Sequence, residues 1–114
     1  MDAARLRREE DIARVRSEGL VRDDRLFSIR MLSRDEPEVR VAVAASRALG
    51  TAVRRNRARR RIREAIRAEL RTWDPASGAD ILIVARRAAI DAPVVEIRAT
   101  VAGALHRILD RTAR

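Results

Sequence analysis

The sequence predicts one small domain of the α/β class, a two-layer sandwich with the element order α-β-β-α-β-α over residues 1–114. Two segments in the first half of the chain alternate apolar and polar residues with the period of a strand. Two later segments repeat apolar residues with the period of a helix, and a continuous apolar run separates them. A chain of 114 residues is long enough to enclose one hydrophobic core but not two, so we expect a single domain.

The first half of the chain predicts one helix and two strands. The helix is expected over about residues 5–18, with Gly19 as its C-terminal stop. Residues 25–32 alternate apolar and polar side chains, and residues 39–44 repeat the alternation with valines. A turn is expected between them over residues 33–38, so we expect the two strands to form a hairpin.

The second half predicts a long helix, a buried strand and a last helix. The long helix is expected to begin near Thr51, a suitable N-cap, and to continue to about Thr72, where Trp73 packs at its end. Residues 81–85 are a continuous apolar run, typical of a central strand buried on both faces. The last helix follows Pro93, and its apolar positions are Val94, Ile97, Val101, Leu105 and Ile108.

The long helix contains a dense block of arginines. On a helical wheel, its apolar residues share one flank that is expected to face the core: Ala58, Ile62, Ala65, Ile66 and Leu70. A separate stripe, which we call the arginine ridge, consists of Asn56, Arg60, Arg63 and Arg67. Like charges one turn apart repel each other, and a partner rich in negative charge reverses that effect. Because guanidinium groups match phosphate oxygens, the ridge predicts nucleic acid as the partner.

The composition favours an acidic partner. The chain has 26 basic residues, all arginine, against 17 acidic ones, which gives a net charge of +9. The simpler alternative is a solvated basic face in an arginine-rich protein, but the clustering favours nucleic acid. Binding to an anionic membrane surface is disfavoured, because the Ala, Ile and Leu flank of the arginine helix suits packing against a sheet. No apolar run approaches the roughly 20 residues that span a bilayer. The absence of cysteine and of an apolar signal-peptide core fits a cytoplasmic protein.

Catalytic and metal-binding patterns are sparse in this sequence. His106 is the only histidine, and it lies among apolar residues near the C-terminus. There is no glycine-rich phosphate loop and no metal-ligand spacing, so we expect no catalysis by the protein alone. One face of the second strand has small or cationic side chains, where a buried face would have large ones: Arg40, Ala42, Ala44 and Ser46. This face is either an ordinary exposed sheet surface or a shallow groove for an extended polyanion.

The segment A-S-R-A-L-G-T-A-V-R-R-N-R-A-R-R-R-I-R-E, residues 45–64, closely resembles the signature of the bacterial ribonuclease P protein subunit family. A typical pattern in that family is V-S-K-K-x-G-x-A-V-x-R-N-R-x-K-R-x-x-R-E. The N-terminal residues 5–19 also resemble the opening of the family, and the similarity extends over essentially the full length. The resemblance implies a fold similar to the second domain of ribosomal protein S5, with a left-handed crossover between parallel strands. Most such crossovers are right-handed, so the hand is taken from the resemblance alone.

The resemblance also implies a function. In that family the holoenzyme is an endoribonuclease that removes the 5′ leader of precursor tRNA, and its RNA subunit carries the chemistry with bound Mg²⁺. The protein subunit binds the catalytic RNA and the leader, with no metal site, membrane or DNA partner expected here. Positions that match contacts to the catalytic RNA, with one further ridge residue, are Arg55, Asn56, Arg57, Arg60, Arg63 and Arg67. Positions that match the leader groove are Arg30, Arg40, Ala42, Ala44, Ser46 and Arg47.

Two departures from the family pattern change the expected leader contact. The second lysine of S-K-K is Ala48 here, which removes one cation from the rim of the groove. Positions where the family has aromatic residues are Ile12, Arg16 and Arg30. Base–aromatic stacking stabilises by about 1–3 kcal/mol per base, so we expect leader binding to depend more on charge in this chain.

Two other functions stay open at this point. One is a general or ribosomal RNA-binding protein without a role in cleavage. The other is a DNA-binding module whose arginine helix enters the major groove.

Overall fold

The computed structural model describes residues 3–73 and 78–112. The helices and strands, in chain order, are β1 (Ala4–Arg5), α1 (Glu9–Glu18), β2 (Leu20–Asp23), β3 (Phe27–Arg34), β4 (Val39–Ala45), α2 (Ala52–Leu70), β5 (Gly78–Ala85) and α3 (Val94–Thr112). Short 3-10 helices follow β4 and β5, at Arg47–Leu49 and Arg87–Ala89. The α/β class predicted from the sequence is confirmed.

The strands form one sheet in the order β1-β4-β5-β3-β2. β5 is the central strand, parallel to β4 and antiparallel to β3. Seven of its eight residues are buried, because helices or loops cover both of its faces. The prediction of a central strand from its continuous apolar run is therefore confirmed.

The predicted hairpin between the strands now labelled β3 and β4 is wrong. β5 lies between them, and the true hairpin joins β2 to β3 through register partners such as Val21 and Arg30. The physical reason is burial: β5 is apolar on both faces and needs a hydrogen-bonded neighbour on each edge. β2 was missed because its four residues are mostly exposed and lack alternation. The first helix begins at Glu9, later than expected, because the residues before it extend along β4 as β1.

The sheet separates two groups of buried side chains. On one face α2 and α3 cover the larger group, which includes Phe27, Ile29, Ile62, Ile83 and Leu105. On the other face α1 covers a smaller group made of Leu6, Val15 and Leu82. The five residues predicted for the core flank of α2 are all buried. Each large aliphatic side chain among them stabilises the fold by about 1.5–3 kcal/mol, so α2 is firmly fixed on the sheet.

The turn before α2 sets where the helix begins. Gly50 has a φ of 111°, a conformation that L residues rarely adopt, and it redirects the chain after the first 3-10 helix. Thr51 then caps the helix, because its hydroxyl accepts a hydrogen bond of 3.3 Å from the backbone N–H of Arg54. The predicted N-cap is confirmed. The left-handed crossover from β4 through α2 to β5 stays a prediction.

The end of α2 is closed by the predicted aromatic residue. Trp73 is half-buried, donates a 3.1 Å hydrogen bond to the carboxylate of Glu69, and lies 4.9 Å from the ring of His106. The prediction that Trp73 packs at this helix end is confirmed. None of the helices in residues 3–73 and 78–112 combines the length and apolar character needed to cross a membrane.

Candidate nucleic-acid interface

The arginine ridge lies on the outer side of α2. Because α2 is one continuous helix, its four ridge residues follow one another at about one-turn intervals of 5.4 Å. Arg60 and Arg67 are exposed, and neither forms an ion pair with a carboxylate in the described part of the chain. Many other arginines pair within the fold, as Arg86 does with Asp23 at 2.7 Å. The ridge therefore presents positive charge that the domain itself does not neutralise.

Two arginines of the same block turn towards the protein. Arg57 donates a 2.9 Å hydrogen bond to the carbonyl of Ile90. Arg61 donates to the carbonyls of Ala89 and Ile90, at 2.9 and 2.8 Å, and also to that of Ala92. They hold the connection between β5 and α3 against α2. Arg57, predicted to contact the catalytic RNA, thus already has a structural partner, although its exposed side chain leaves its RNA role a prediction.

Arg55 and Asn56, also predicted RNA contacts, differ in their surroundings. Arg55 is half-buried, and its buried Nε has no hydrogen-bond partner in the described structure. Asn56 is exposed, and its side-chain oxygen accepts a hydrogen bond from Arg59. That bond orients the Asn56 side chain at the first position of the ridge. Both roles stay predictions.

A groove of about 460 Å³ opens at the edge of the sheet beside α2. β1 covers only the first residues of β4, so β4 is the edge strand after Val41. The lining residues come from the N-terminal segment, α1, β4, β5 and α2: Arg5, Leu6, Arg7, Ile12, Arg16, Val41, Ala42, Val43, Ala44, Arg63 and Leu82. We call this the leader groove. Ala42 and Ala44, predicted from the sequence, lie in it, and their small side chains leave its floor open.

Arg63 belongs to both the ridge and the groove. It is half-buried on α2 and lines the groove across from α1. Partial burial, followed by the positive charges of Arg5, Arg67 and Arg59, lowers the pKa of the Arg63 guanidinium below its usual value. Like charges around one guanidinium mark a place where an anion would relieve repulsion.

Arg40, predicted to contact the leader, is held within the fold. Its guanidinium donates two hydrogen bonds to the buried carboxylate of Asp80, and it does not line the groove. The hydrogen bond that Arg40 donates to Asp80 raises the pKa of Arg40 above its usual value, against the opposing effect of burial. Arg34 also approaches Asp80, at 3.6 Å. The cation predicted as a leader contact is therefore paired with a carboxylate within the fold.

The other predicted leader contacts lie around the groove. Arg30 is half-buried on β3, in register with Leu82 of β5 on the face that α1 partly covers. Ser46 and Arg47 are exposed immediately after β4. The structure thus brings Ala42 and Ala44 together in the groove and places Ser46 and Arg47 beyond its strand.

Three further cations line the groove, namely Arg5, Arg7 and Arg16. Arg5 and Arg7 were not predicted from the sequence as site residues, and Arg16 was named only as a position where the family has an aromatic residue. None of them forms an ion pair with a carboxylate of residues 3–73 or 78–112. Arg5 and Arg7 flank the buried Leu6, and that alternation is the signal of an extended edge segment. It was overlooked because the same residues also fit the start of a helix.

Metal ligands are not assembled by the described residues. No group of three or more His, Asp or Glu side chains in residues 3–73 and 78–112 is placed to hold an ion. Asp11 and Asp80 both approach the guanidinium of Arg40 and form an ion-pair cluster with it.

Comparison with known proteins gives one family throughout. The sequence profile described as "Ribonuclease P" matches residues 1–109. The ribonuclease P protein component of Symbiobacterium thermophilum is 50% identical over 60 residues, which cover 52% of this chain and 50% of that protein. The corresponding protein of Bartonella quintana is 38% identical over 96 residues, covering 78% of this chain and 71% of that protein.

Solved structures agree with these matches. The Staphylococcus aureus RNase P protein has a TM-score of 0.67 and 25% identity, covering 97% of this chain and 96% of that one. The RNase P protein from Thermotoga maritima superposes with a TM-score of 0.79 over 91% of this chain and 96% of that one. At 24% identity, this second likeness supports the fold alone.

Proposed function

Since the chain belongs to the ribonuclease P protein family, as its sequence resemblance predicted, we propose that it is the protein subunit of a ribonuclease P holoenzyme. In this proposal it binds the catalytic RNA and the 5′ leader of precursor tRNA. It assists removal of the leader to give the mature 5′ end and broadens the range of substrates.

The main support for the proposal is that two unneutralised basic surfaces lie side by side and are fixed by the same helix. The arginine ridge and the leader groove meet at Arg63, and α2 fixes their relative position through a flank of five buried residues. One polyanion on the ridge and another in the groove would therefore be held side by side. A general RNA-binding protein needs only one such surface.

The two surfaces suit different RNA structures. The ridge is a convex helix face whose exposed guanidinium groups match the phosphates of a folded RNA. The groove follows the exposed edge strand β4 and has small side chains on its floor, so an extended single strand fits it better than a duplex. We therefore assign the catalytic RNA to the ridge, and the single-stranded leader to the groove.

The groove contains arginines in place of stacking aromatics. Arg5, Arg7 and Arg16 surround the single strand with charge, and their flat guanidinium groups also stack on bases. Leader affinity should then fall steeply with salt, with a slope of about −0.7 per phosphate neutralised. A shallow slope would favour apolar contacts instead.

The chemistry belongs to the RNA subunit in this proposal. Mg²⁺ bound mainly by that RNA would supply the metal needed for phosphodiester hydrolysis. The protein's described carboxylates are mostly paired with arginines, as Asp80 is with Arg40, and so suit ion pairing better than metal ligation. What the protein contributes is charge neutralisation and orientation of the leader next to the catalytic RNA, in the cytoplasm where tRNA precursors are processed.

The test is cleavage of precursor tRNA by the cognate catalytic RNA at low Mg²⁺, with and without this protein. Added protein should raise the cleavage rate at low Mg²⁺, because its arginines replace part of the screening by the metal. A general RNA-binding role predicts no stimulation beyond that of an unrelated basic protein of equal charge, which serves as the control.

A further inference from the structure

We propose that Glu64 gives the arginine ridge base selectivity: its carboxylate accepts hydrogen bonds from the Watson–Crick edge of an unpaired guanine in the catalytic RNA. The inference rests on the proposed function, which places that RNA on the ridge. Contacts between arginines and phosphates position an RNA but carry no sequence information. Glu64 would add a contact to a particular base.

Glu64 lies within the ridge. Arg60 precedes it by four residues and Arg67 follows it by three, so the three side chains share one face of α2. All three residues are exposed, and the buried flank of α2 lies on the opposite side of the helix. An RNA that contacts both arginines therefore also covers Glu64. A covered carboxylate without a hydrogen-bond donor is costly, so the RNA must supply one.

The carboxylate of Glu64 is free to accept from such a donor. Within residues 3–73 and 78–112 it forms no ion pair and no hydrogen bond, although three ridge arginines lie within one turn of it. Glu69 is the other acidic residue of α2, and its carboxylate accepts a 3.1 Å hydrogen bond from Trp73 and lies 3.4 Å from His106. The two carboxylates of the helix thus differ: one is used inside the fold and the other faces outwards.

Stabilisation of the helix does not explain an acidic residue at this position. A glutamate stabilises a helix best when the arginine follows it by four residues, and that position is Ala68 here. Arg60, four residues before Glu64, gives the less favourable order. The pKa of Arg63, the preceding residue, is lowered by burial and then by three other arginines, and no carboxylate offsets them. Glu64 therefore does little to neutralise the ridge.

The charges around Glu64 select its ligand. Its carboxylate repels phosphate, and the positive charges of Arg60 and Arg67 disfavour a hydrated metal ion. A neutral N–H donor avoids both repulsions. An ionised carboxylate accepts through two oxygens, and guanine has two neighbouring donor groups on its Watson–Crick edge, N1–H and N2–H. In RNA that edge is accessible on unpaired bases of loops and bulges, so an unpaired guanine fits best.

The test compares Glu64→Ala with Asp35→Ala, because each removes one exposed carboxylate and raises the net charge equally. Asp35 lies between β3 and β4, outside the ridge and the groove. Affinity is measured for the cognate catalytic RNA and for an unrelated folded RNA of the same length. Kethoxal, which modifies N1 and N2 of unpaired guanines, is applied to the catalytic RNA with each protein bound.

We expect Glu64→Ala to have opposite effects on the two RNAs. Loss of a negative charge alone tightens binding to any RNA, and Asp35→Ala should show this weak effect with both. Glu64→Ala should also tighten binding to the unrelated RNA, but it should weaken binding to the catalytic RNA by roughly tenfold, the loss of charge-assisted hydrogen bonds. One guanine should be protected from kethoxal by the unchanged protein and reactive in the complex with Glu64→Ala.

The proposal is overturned if Glu64→Ala tightens binding to both RNAs, as Asp35→Ala does, or if no guanine gains reactivity. Urea unfolding of both variants is the control for the fold, and a clear destabilisation by Glu64→Ala would make Glu64 a structural residue. Cleavage of precursor tRNA by the same preparations keeps the two claims separate. If the unchanged protein does not stimulate cleavage, the proposed function fails, and the binding and kethoxal results alone then decide the guanine contact.

Discussion

Arg40 on β4 donates two hydrogen bonds to the carboxylate of Asp80 on β5, from Nε to Oδ1 and from Nη2 to Oδ2, each 2.6 Å long. Its Nη1 also lies 3.5 Å from Oδ2 of Asp11, on α1. One guanidinium therefore ties the helix that forms a wall of the leader groove to the two strands beneath it. Arg40 therefore shapes the groove by holding α1 against these strands.

Asp80→Asn should lower the free energy of unfolding by about 2–3 kcal/mol. Asp80 is buried, and its loss of charge leaves Arg40 without its main partner; breaking a buried pair costs about 3–5 kcal/mol, reduced here because Arg40 is partly exposed. Urea unfolding measures the change. The control is Asp35→Asn, an exposed carboxylate, which should stay within about 0.5 kcal/mol of the unchanged protein. Equal midpoints for the two variants would show that the pair contributes little.

Arg60→Ala and Arg61→Ala change adjacent residues but should affect different properties, RNA binding in the first variant and stability in the second. Arg60 is exposed and unpaired in the described structure, so its loss should weaken binding to the catalytic RNA and leave stability unchanged. Arg61 donates to three backbone carbonyls, so its loss should lower the free energy of unfolding by about 1.5–3 kcal/mol. Thermal unfolding and RNA titration on both variants measure this. A large loss of stability in Arg60→Ala would assign that residue to the fold.

Arg63→Met should weaken RNA binding without lowering stability. Methionine keeps the apolar part of the side chain. The positive charge that it removes is repelled by the positive charges of Arg5, Arg59 and Arg67. At low salt the variant should be equal to the unchanged protein or more stable by a few tenths of a kcal/mol. High salt should remove that difference, because it screens the repulsion. Melting curves at two salt concentrations measure it, and a clear destabilisation at low salt would contradict the repulsion argument.

Ile62→Asp should unfold the domain. Ile62 is fully buried between α2 and the sheet, and an unpaired carboxylate there has neither water nor a partner. Circular dichroism should show loss of cooperative structure at 25 °C. Ile62→Val is the matched control and should cost only about 0.5–1.5 kcal/mol. A folded Ile62→Asp protein would mean that α2 is not fixed by this flank.

Helix α2 was the element best predicted from sequence. Its apolar flank, its cap at Thr51 and its ridge all depend on local spacing, and a helix is built from local contacts. The strand neighbours were not predictable in the same way. Alternation shows which side chains face the core, but pairing is made by backbone groups that are alike in every residue, so β5 between β3 and β4 had no local signal.

The same difference between local and long-range contacts separates the site residues that were predicted from those that were not. The alanines of β4 were found because small residues on a strand face are visible in the sequence. The pairing of Arg40 with Asp80 joins residues 40 positions apart, and the arginines of residues 5–7 reach the groove only through the pairing of β1 with β4. Which cations are neutralised depends on how distant strands pair, and no local pattern in the sequence indicates that pairing.

The most direct test of the two-surface account compares Arg60→Ala on the ridge with Ala44→Glu in the groove, in one reconstituted holoenzyme. Ala44→Gln, of the same size but uncharged, is the control for the groove variant. Two quantities are measured for each protein: affinity for the catalytic RNA, and the ratio of KM for short and long leaders. If the ridge and the groove are separate surfaces, Arg60→Ala weakens RNA affinity alone, whereas Ala44→Glu removes the leader dependence of KM alone. If both variants changed the same quantity, the ridge and the groove would be one surface, and the account would be wrong.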